Sequence, residues 1–362
     1  MRPLLVLNDI HIGVKRVAGT TPDSQIALRQ CLAYQFSDFI DQYHGHDLLI
    51  NGDLFDGFDI DSQDLLITYF VLVNWLVEGK GNLYLAAGNH DIGKRTDQVS
   101  SFALLARLLQ DRFPNQVMVI DKGLTTIQPG VHVIPHCMNQ DLFNLELKLA
   151  LEAEPGYLFL HANVDNGFAE NSDHSLNVDG EWLTKLSKIH TIVFGHEHQG
   201  RSMKYGKKAI YVLGNQWPSS ISDCLAHGEA QKDGIKKALI IRDRLEPDEE
   251  GTEMAFVPTW TRKGSFIEMP WNNLQVVDEK FIRITGTATS AQASEMITTI
   301  AKYRNVSPAF VISNAVEVEG VEGLDEFSQA TFENIKVFDV KAALLDMLDP
   351  EERKAVEELL KD

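Results

Sequence analysis

Cysteine is scarce in this chain: Cys31, Cys137 and Cys224 are three in 362 residues, widely spaced and without a C-x-x-C pair. Neither a disulfide framework nor a thiolate zinc site can be built from them, so a reducing, cytoplasmic compartment is expected. Long apolar runs are also missing. The longest stretch, 65–77, is interrupted by Thr68 and Asn74; it falls short of the ~20 residues that span a bilayer and reads as a buried helix. Met1-Arg2-Pro3 leads into only four apolar residues before Asn8-Asp9, too few for a signal-peptide core. Positive charge is in deficit, 33 Lys and Arg against 52 Asp and Glu, for a formal charge of −19. That excludes a broad basic face coating nucleic acid, so any such contact must be local or come through a partner. Internal repeats and low-complexity segments are absent as well.

What remains is a globular composition, 44% hydrophobic and 23% charged, with enough apolar surface to offset the entropy of ordering. The length suits one large domain with an appendage, or two. Short apolar runs alternate with helical patterns through the first two thirds, which predicts a layered α/β domain. Leu4 to Leu7, Leu48 to Ile50, Leu83 to Ala87, Tyr157 to Leu160 and Ile192 to Phe194 read as buried strands. Leu28, Cys31, Leu32, Phe36, Phe39, Ile40 and Tyr43 recur at helical spacing after Thr21-Pro22, an N-cap and first helical position. The region 117–136, turning at Pro129-Gly130, reads as extra strands, 141–153 as a helix, and 237–243 as a closing strand. Beyond the acidic loop 246–253 the pattern becomes a small α/β unit: a strand from Phe281 to Ile284, a helix from about Ser290, and a strand from Phe310 to Val318. Two short amphipathic helices end the chain, separated by Asp349-Pro350-Glu351-Glu352.

Five polar clusters follow the expected strands: Asp9-Ile10-His11; Gly52-Asp53-Leu54-Phe55-Asp56; Gly88-Asn89-His90-Asp91; His161; and Gly195-His196-Glu197-His198. Ligands of open α/β sheets bind outside the carboxyl ends of the strands, so these clusters converge on one crevice. Carboxylate, imidazole and amide oxygen suit divalent manganese, iron or zinc. Two such ions would clamp the attacking and leaving oxygens of a phosphoryl displacement, and Asp53, after the flexible Gly52, is the best candidate to bridge them. Singly, Asp9-Ile10-His11 and Gly88-Asn89-His90-Asp91 read equally well as turn or cap chemistry, whereas alternation along an extended segment places His196 and His198 on one side; all five in order, each behind an apolar strand, are not explained by turns.

The order D-x-H, G-D-x-x-D, G-N-H-D, a lone His after a strand, and G-H-x-H resembles the calcineurin-like metallophosphoesterases. The resemblance implies a four-layer sandwich of two mixed sheets flanked by helices, with a small α/β capping domain and C-terminal helices. It places Asp9, His11, Asp53 and His198 around one divalent metal, Mn2+ foremost, with Mg2+, Fe2+ or Zn2+ as alternatives. Asp53, Asn89, His161 and His196 would hold the other. His90 would face substrate and protonate the leaving oxygen while Asp56 orients it. Lys94 and Arg95, just after His90, would meet substrate phosphates or form ordinary wet surface, and His136 and His174 are further candidates at the crevice. His44, His46, His190 and His227 read as solvated or capping residues.

The succession from Tyr211-Val212-Leu213-Gly214-Asn215 through Trp217-Pro218-Ser219-Ser220 to the closing strand, then cap and terminal helices, looks like the SbcD-type nuclease subunits of Mre/Rad and SbcCD complexes. It is most similar to those of bacteriophages. That resemblance implies a nuclease domain over 1–258, a cap over 259–335, and helices over 336–362 that dock on an SMC-like coiled-coil ATPase. It further implies an exonuclease and endonuclease acting on DNA ends, a homodimer, and a location in the bacterial host cytoplasm if phage-encoded. The alternatives are a small-molecule phosphatase or cyclic-nucleotide phosphodiesterase with the same metals, and a non-catalytic scaffold, whose mark would be missing ligands.

Overall fold

The computed structural model describes residues 2–14, 22–92, 98–166, 176–218, 221–224, 235–242, 253–307 and 309–319. Thr21, most of the acidic loop, and the terminal helices expected over 336–362 lie outside them. One compact unit takes in residues 1–267 with 276–283 and 308–313. Its first half runs β1 (Leu4–Leu7), α1 (Pro22–Asp41), β2 (Asp47–Asn51), α2 (Ser62–Gly79), β3 (Leu83–Ala86), α3 (Ser101–Arg112) and β4 (Val117–Ile120). There follow β5 (Thr125–Gln128), β6 (Val131–Ile134), α4 (Gln140–Ala150), β7 (Gly156–His161), β8 (Asn163–Val164), β9 (Asn177–Val178) and α5 (Gly180–Lys185). The unit closes with β10 (Ile189–Gly195), β11 (Arg201–Tyr205), β12 (Lys208–Val212), α6 (Ile221–Cys224), β13 (Ile235–Ile241) and β14 (Met254–Thr261).

The strands form two six-stranded sheets, in the orders β14-β13-β1-β2-β3-β4 and β11-β12-β10-β7-β6-β5. Strands β1 to β4 run parallel, as do β6, β7, β10 and β12, with antiparallel partners at the edges. Parallel strands are covered on both faces and are written as unbroken apolar runs; β1, β2, β3 and β7 are buried at every residue. Side chains alternate between faces along a strand. Leu4, Val6, Leu49, Phe159 and Val193 therefore fill a core shared by the sheets. Leu5, Leu7 and Ile50 turn instead to Phe36, Leu72, Trp75 and Leu105 of α1, α2 and α3, while Leu158 and Ile192 meet Phe143, Leu147 and Leu183 of α4 and α5. The result is helices, sheet, sheet, helices, the four-layer α/β sandwich expected.

The apolar stretch 65–77 does lie within a helix, α2, but it is not enclosed all round. Leu72, Val73, Trp75 and Leu76 are buried, whereas Leu66, Phe70 and Val77 are 53%, 52% and 54% exposed. Among the described residues no helix is long and apolar enough to cross a membrane.

A second unit comprises, among the described residues, 268–275, 284–307 and 314–319. It takes in most of a three-stranded sheet, β15 (Phe266–Pro270), β16 (Phe281–Thr289) and β17 (Phe310–Glu319), together with α7 (Ala293–Val306). The helix is entered through a short tight turn at Ser290–Gln292, where Thr289 and Gln292 form a reciprocal cap. Met296, Ile300 and Tyr303 are its buried stripe.

Candidate metal centre

Residues at the carboxyl ends of β1, β2, β3, β7 and β10 come together across the seam between the sheets. Hydrogen bonds of the chain itself hold that seam. Asn8 donates its amide to the Phe194 carbonyl at 3.1 Å, Asn51 to Leu160 at 3.2 Å, and the His196 main-chain N–H to the Asp9 carboxylate at 3.0 Å. The backbone is strained to achieve this: Asp9, His11, Asp53 and His196 have φ of +46°, +52°, +49° and +86°, a region non-glycine residues rarely occupy and which clusters at functional sites. Gly52 and Gly88 supply the close approach. A Cβ on Gly52 would stand 2.0 Å from His161 Nδ1, and one on Gly88 2.1 Å from Asp53 Oδ1.

Asp53 lies between two candidate ligand clusters, and with His11 and His90 it forms a further group of possible ligands. In the first cluster, Asp9, His11 and His198 converge; His11 Nε2 faces His198 Nε2 at 2.9 Å and lies 3.9 Å from Asp53 Oδ2. In the second, Asp53, His161 and His196 converge. His161 Nε2 is 3.3 Å from Asp53 Oδ2, and Asn89 Oδ1 sits 3.0 Å from His161 Nε2 and 2.8 Å from His196 Nδ1. The outward ring nitrogens face acceptors: His161 Nδ1 bonds the Asn51 carbonyl at 3.1 Å, His11 Nδ1 lies 3.3 Å from the Asp56 carboxylate, and His198 Nδ1 lies 3.4 Å from the Asp223 carboxylate. The Nε2 atoms then face one another and carboxylate oxygens, and this set of nitrogen and oxygen donors suits a divalent cation in each cluster.

His90 lies beside both clusters, its ring Nε2 4.0 Å from Asp53 Oδ2 and its N–H donating to Asp53 Oδ1 at 2.9 Å. The resemblance gave Asp56 the task of orienting His90. The structure divides it: the Asp56 main-chain carbonyl receives His90 Nδ1 at 2.8 Å, and the Asp56 carboxylate serves His11. His136 is buried, its ring 6.1 Å from that of His161, so it lines the crevice outside the ligand clusters. Lys94, Arg95 and His174 lie outside the described residues.

Two contributors went unassigned in the sequence. Asp91 accepts from the main-chain N–H groups of Gly88, Leu54 and Phe55 at 2.9, 3.3 and 3.2 Å, locking the two ligand loops together; burial and the Asp53 charge raise it to about 7. Asp223, in α6, supports His198 and has no motif to announce it. Replacing Asp223 by alanine is expected to weaken metal binding at the first cluster by about 10- to 100-fold, as loss of an outer partner typically does, while sparing the second. Calorimetric titration of both sites checks this; equal loss at both would refute it.

Charge in the site is set by competition between burial and neighbours. Burial works against a charged imidazole, but Asp56 and Asp53 lift His11 to about 8, and Asp53 with Asp9 lifts His161 to about 9. Burial also opposes ionisation of Asp53, yet His161 and His11 hold it far below the usual carboxylate range. His196, buried and beside His161, is pushed down to about 3 and stays neutral. The stability that His11 and His161 give the metal-free protein is complete below their ordinary value of about 6.5 and is lost as pH rises through 8 to 9. Metal needs neutral rings, so its affinity should climb over that same window and binding at pH 7 should release protons. Titration calorimetry in buffers of different ionisation heat reads the release; a buffer-independent heat would contradict it.

A family model described as calcineurin-like phosphoesterase matches residues 2–200. Solved structures with similarity to the chain include the phosphopantetheinyl hydrolase of Mycobacterium tuberculosis, at 11% identity and TM-score 0.38, covering 59% of this chain and 89% of that one. An archaeal phosphodiesterase, at 10% identity and TM-score 0.33, covers 71% and 99% respectively. Likeness of that order speaks to neither substrate nor partner. A search of curated proteins gives no match.

Proposed function

The chain belongs to the calcineurin-like phosphoesterase family, and from that premise we propose that it hydrolyses DNA phosphodiesters as the nuclease subunit of an SbcCD-like end-processing and recombination complex. The observation that carries the chemistry is Asp53, which stands with His11 and His90 on one side and His161 and His196 on the other, with the His90 main-chain N–H donating to it. Asp9, His11, Asp53 and His198 would hold one ion; Asp53, Asn89, His161 and His196 the other. Bound there, two divalent cations, manganese foremost, would polarise the phosphoryl oxygens and acidify the attacking water.

The remaining work falls to the chain. The Asp56 carbonyl fixes the proton on His90 Nδ1, which leaves Nε2 turned toward Asp53 and the reacting group. Protonated there, His90 gives its Nε2 proton to the leaving alkoxide as the P–O bond breaks, and regains one from solvent. Asp91 holds the loops that carry Asp53 and His90 at a fixed separation.

The polymer is supported by the sequence resemblance to SbcD-type subunits. An SMC-like coiled-coil ATPase would supply the grip on DNA that a chain of charge −19 lacks, docking on the region 336–362 beyond the capping residues 259–335. A homodimer is supported by the exposed apolar line Leu66, Phe70 and Val77 on α2, with Tyr34 70% exposed on α1, and a cytoplasmic location by the scarce, widely spaced cysteines. The same net charge favours the second reading, a phosphatase or cyclic-nucleotide phosphodiesterase for small esters. A manganese series on end-labelled duplex and single-stranded DNA, with and without the ATPase, decides: metal-dependent release of nucleotides is expected, whereas cleavage confined to small aryl or nucleotide esters hands the site to the second reading.

A further inference from the structure

Beside the metal centre the two sheets part at their edges, where β11 and β12 of one meet β13 and β14 of the other. The gap is a cavity of about 180 Å³ whose wall includes His198, so a group lodged in it lies next to the first ligand cluster. Its size is that of one aromatic ring system, since a cavity of about 150 Å³ accommodates benzene. Tyr211 and Phe256, with ring centroids 5.1 Å apart, form one side; Phe256 is 38% exposed on the edge strand β14.

The polar side is cationic. Arg201, Lys236 and Lys237 line the cavity, and no carboxylate does among the described residues. Arg201 is paired with Glu197, whereas Lys236 is buried with its Nζ on the neutral side-chain oxygen of Asn215. Lys237 is exposed at the mouth. In a chain of charge −19, a pocket with two lysines and an aromatic wall beside the metal ligands selects for an anion joined to a planar ring.

We propose that this cavity seats the nucleotide adjoining the scissile bond, its base laid on Phe256 and Tyr211 and its phosphate met by Lys237 and Lys236. The assignment rests on the nuclease reading and deepens it: the enzyme would distinguish nucleotide esters from bare phosphodiesters by stacking, which every base allows. The competing view is a simple packing gap between sheet edges.

The manganese-loaded full chain is titrated with adenosine 5′-monophosphate and with ribose 5-phosphate. The nucleotide is expected to bind roughly tenfold or more tightly, and Phe256→Ala to reduce that preference to near parity. Lys237→Glu, a surface change, is expected to weaken both ligands. Equal affinity of the two ligands for the unaltered protein overturns the proposal, as does a preference that survives in a folded Phe256→Ala protein. Should that variant fail to fold, Lys237→Glu decides, and unchanged binding there overturns it. Digestion of DNA by a protein that binds the two ligands equally removes the cavity and leaves the nuclease; preference for the nucleotide without digestion of DNA removes the nuclease and leaves a nucleotide site.

Discussion

Asp53→Asn is expected to deplete both ligand clusters of metal together. The amide keeps an oxygen to accept from the His90 N–H, so the fold survives, but the negative charge facing His11 and His161 is gone. With Asp53 as the carboxylate proposed to serve both clusters, the loss in affinity should exceed the roughly 10- to 100-fold typical of an outer partner at each of them. Hydrolysis should fall below detection. Elemental analysis of the dialysed protein gives the metal content directly. Retention of one full equivalent would mean that the clusters do not share this carboxylate.

His90→Ala separates proton donation from metal holding. With the ligand clusters intact, metal content should be unchanged, while turnover on a phosphodiester with a poor alkoxide leaving group should drop by about 10²- to 10⁴-fold. On a p-nitrophenyl ester, whose leaving group departs without a proton, the loss should shrink to a small factor. Equal losses on the two substrates would show that His90 does not supply that proton, and a loss of metal would make it a ligand instead.

The convergence of the candidate ligands could be read from the sequence because each follows a strand that is apolar on both faces, and such strands stand out as unbroken runs. Asp9 after β1, Asp53 after β2, Asn89 after β3, His161 on β7 and His196 after β10 all obey that rule. The hairpin of β5 and β6 was marked by Pro129-Gly130, and α4 by its period. Other features carry no such mark. Asp223 sits in a helix of four residues, too short for any period, and reaches His198 only because the chain folds back. The division of Asp56 between its carbonyl for His90 and its carboxylate for His11 is a matter of loop conformation that residue type does not encode. Helix α3 went unremarked although Ser100 caps it, because Leu104 and Leu108, 43% and 44% exposed, blur its apolar stripe. The exposed line on α2 was hidden for the opposite reason: hydrophobic residues on every face conceal which face is wet.

The amide and carboxylate stitches across the seam have a consequence for supply. Because Asn8, Asn51 and Asp9 fasten the two halves with hydrogen bonds of the chain itself, the spacing of the candidate ligands is set by protein contacts. Among divalent cations of similar size, occupancy would then follow the concentrations in the surrounding pool and the order of intrinsic affinities.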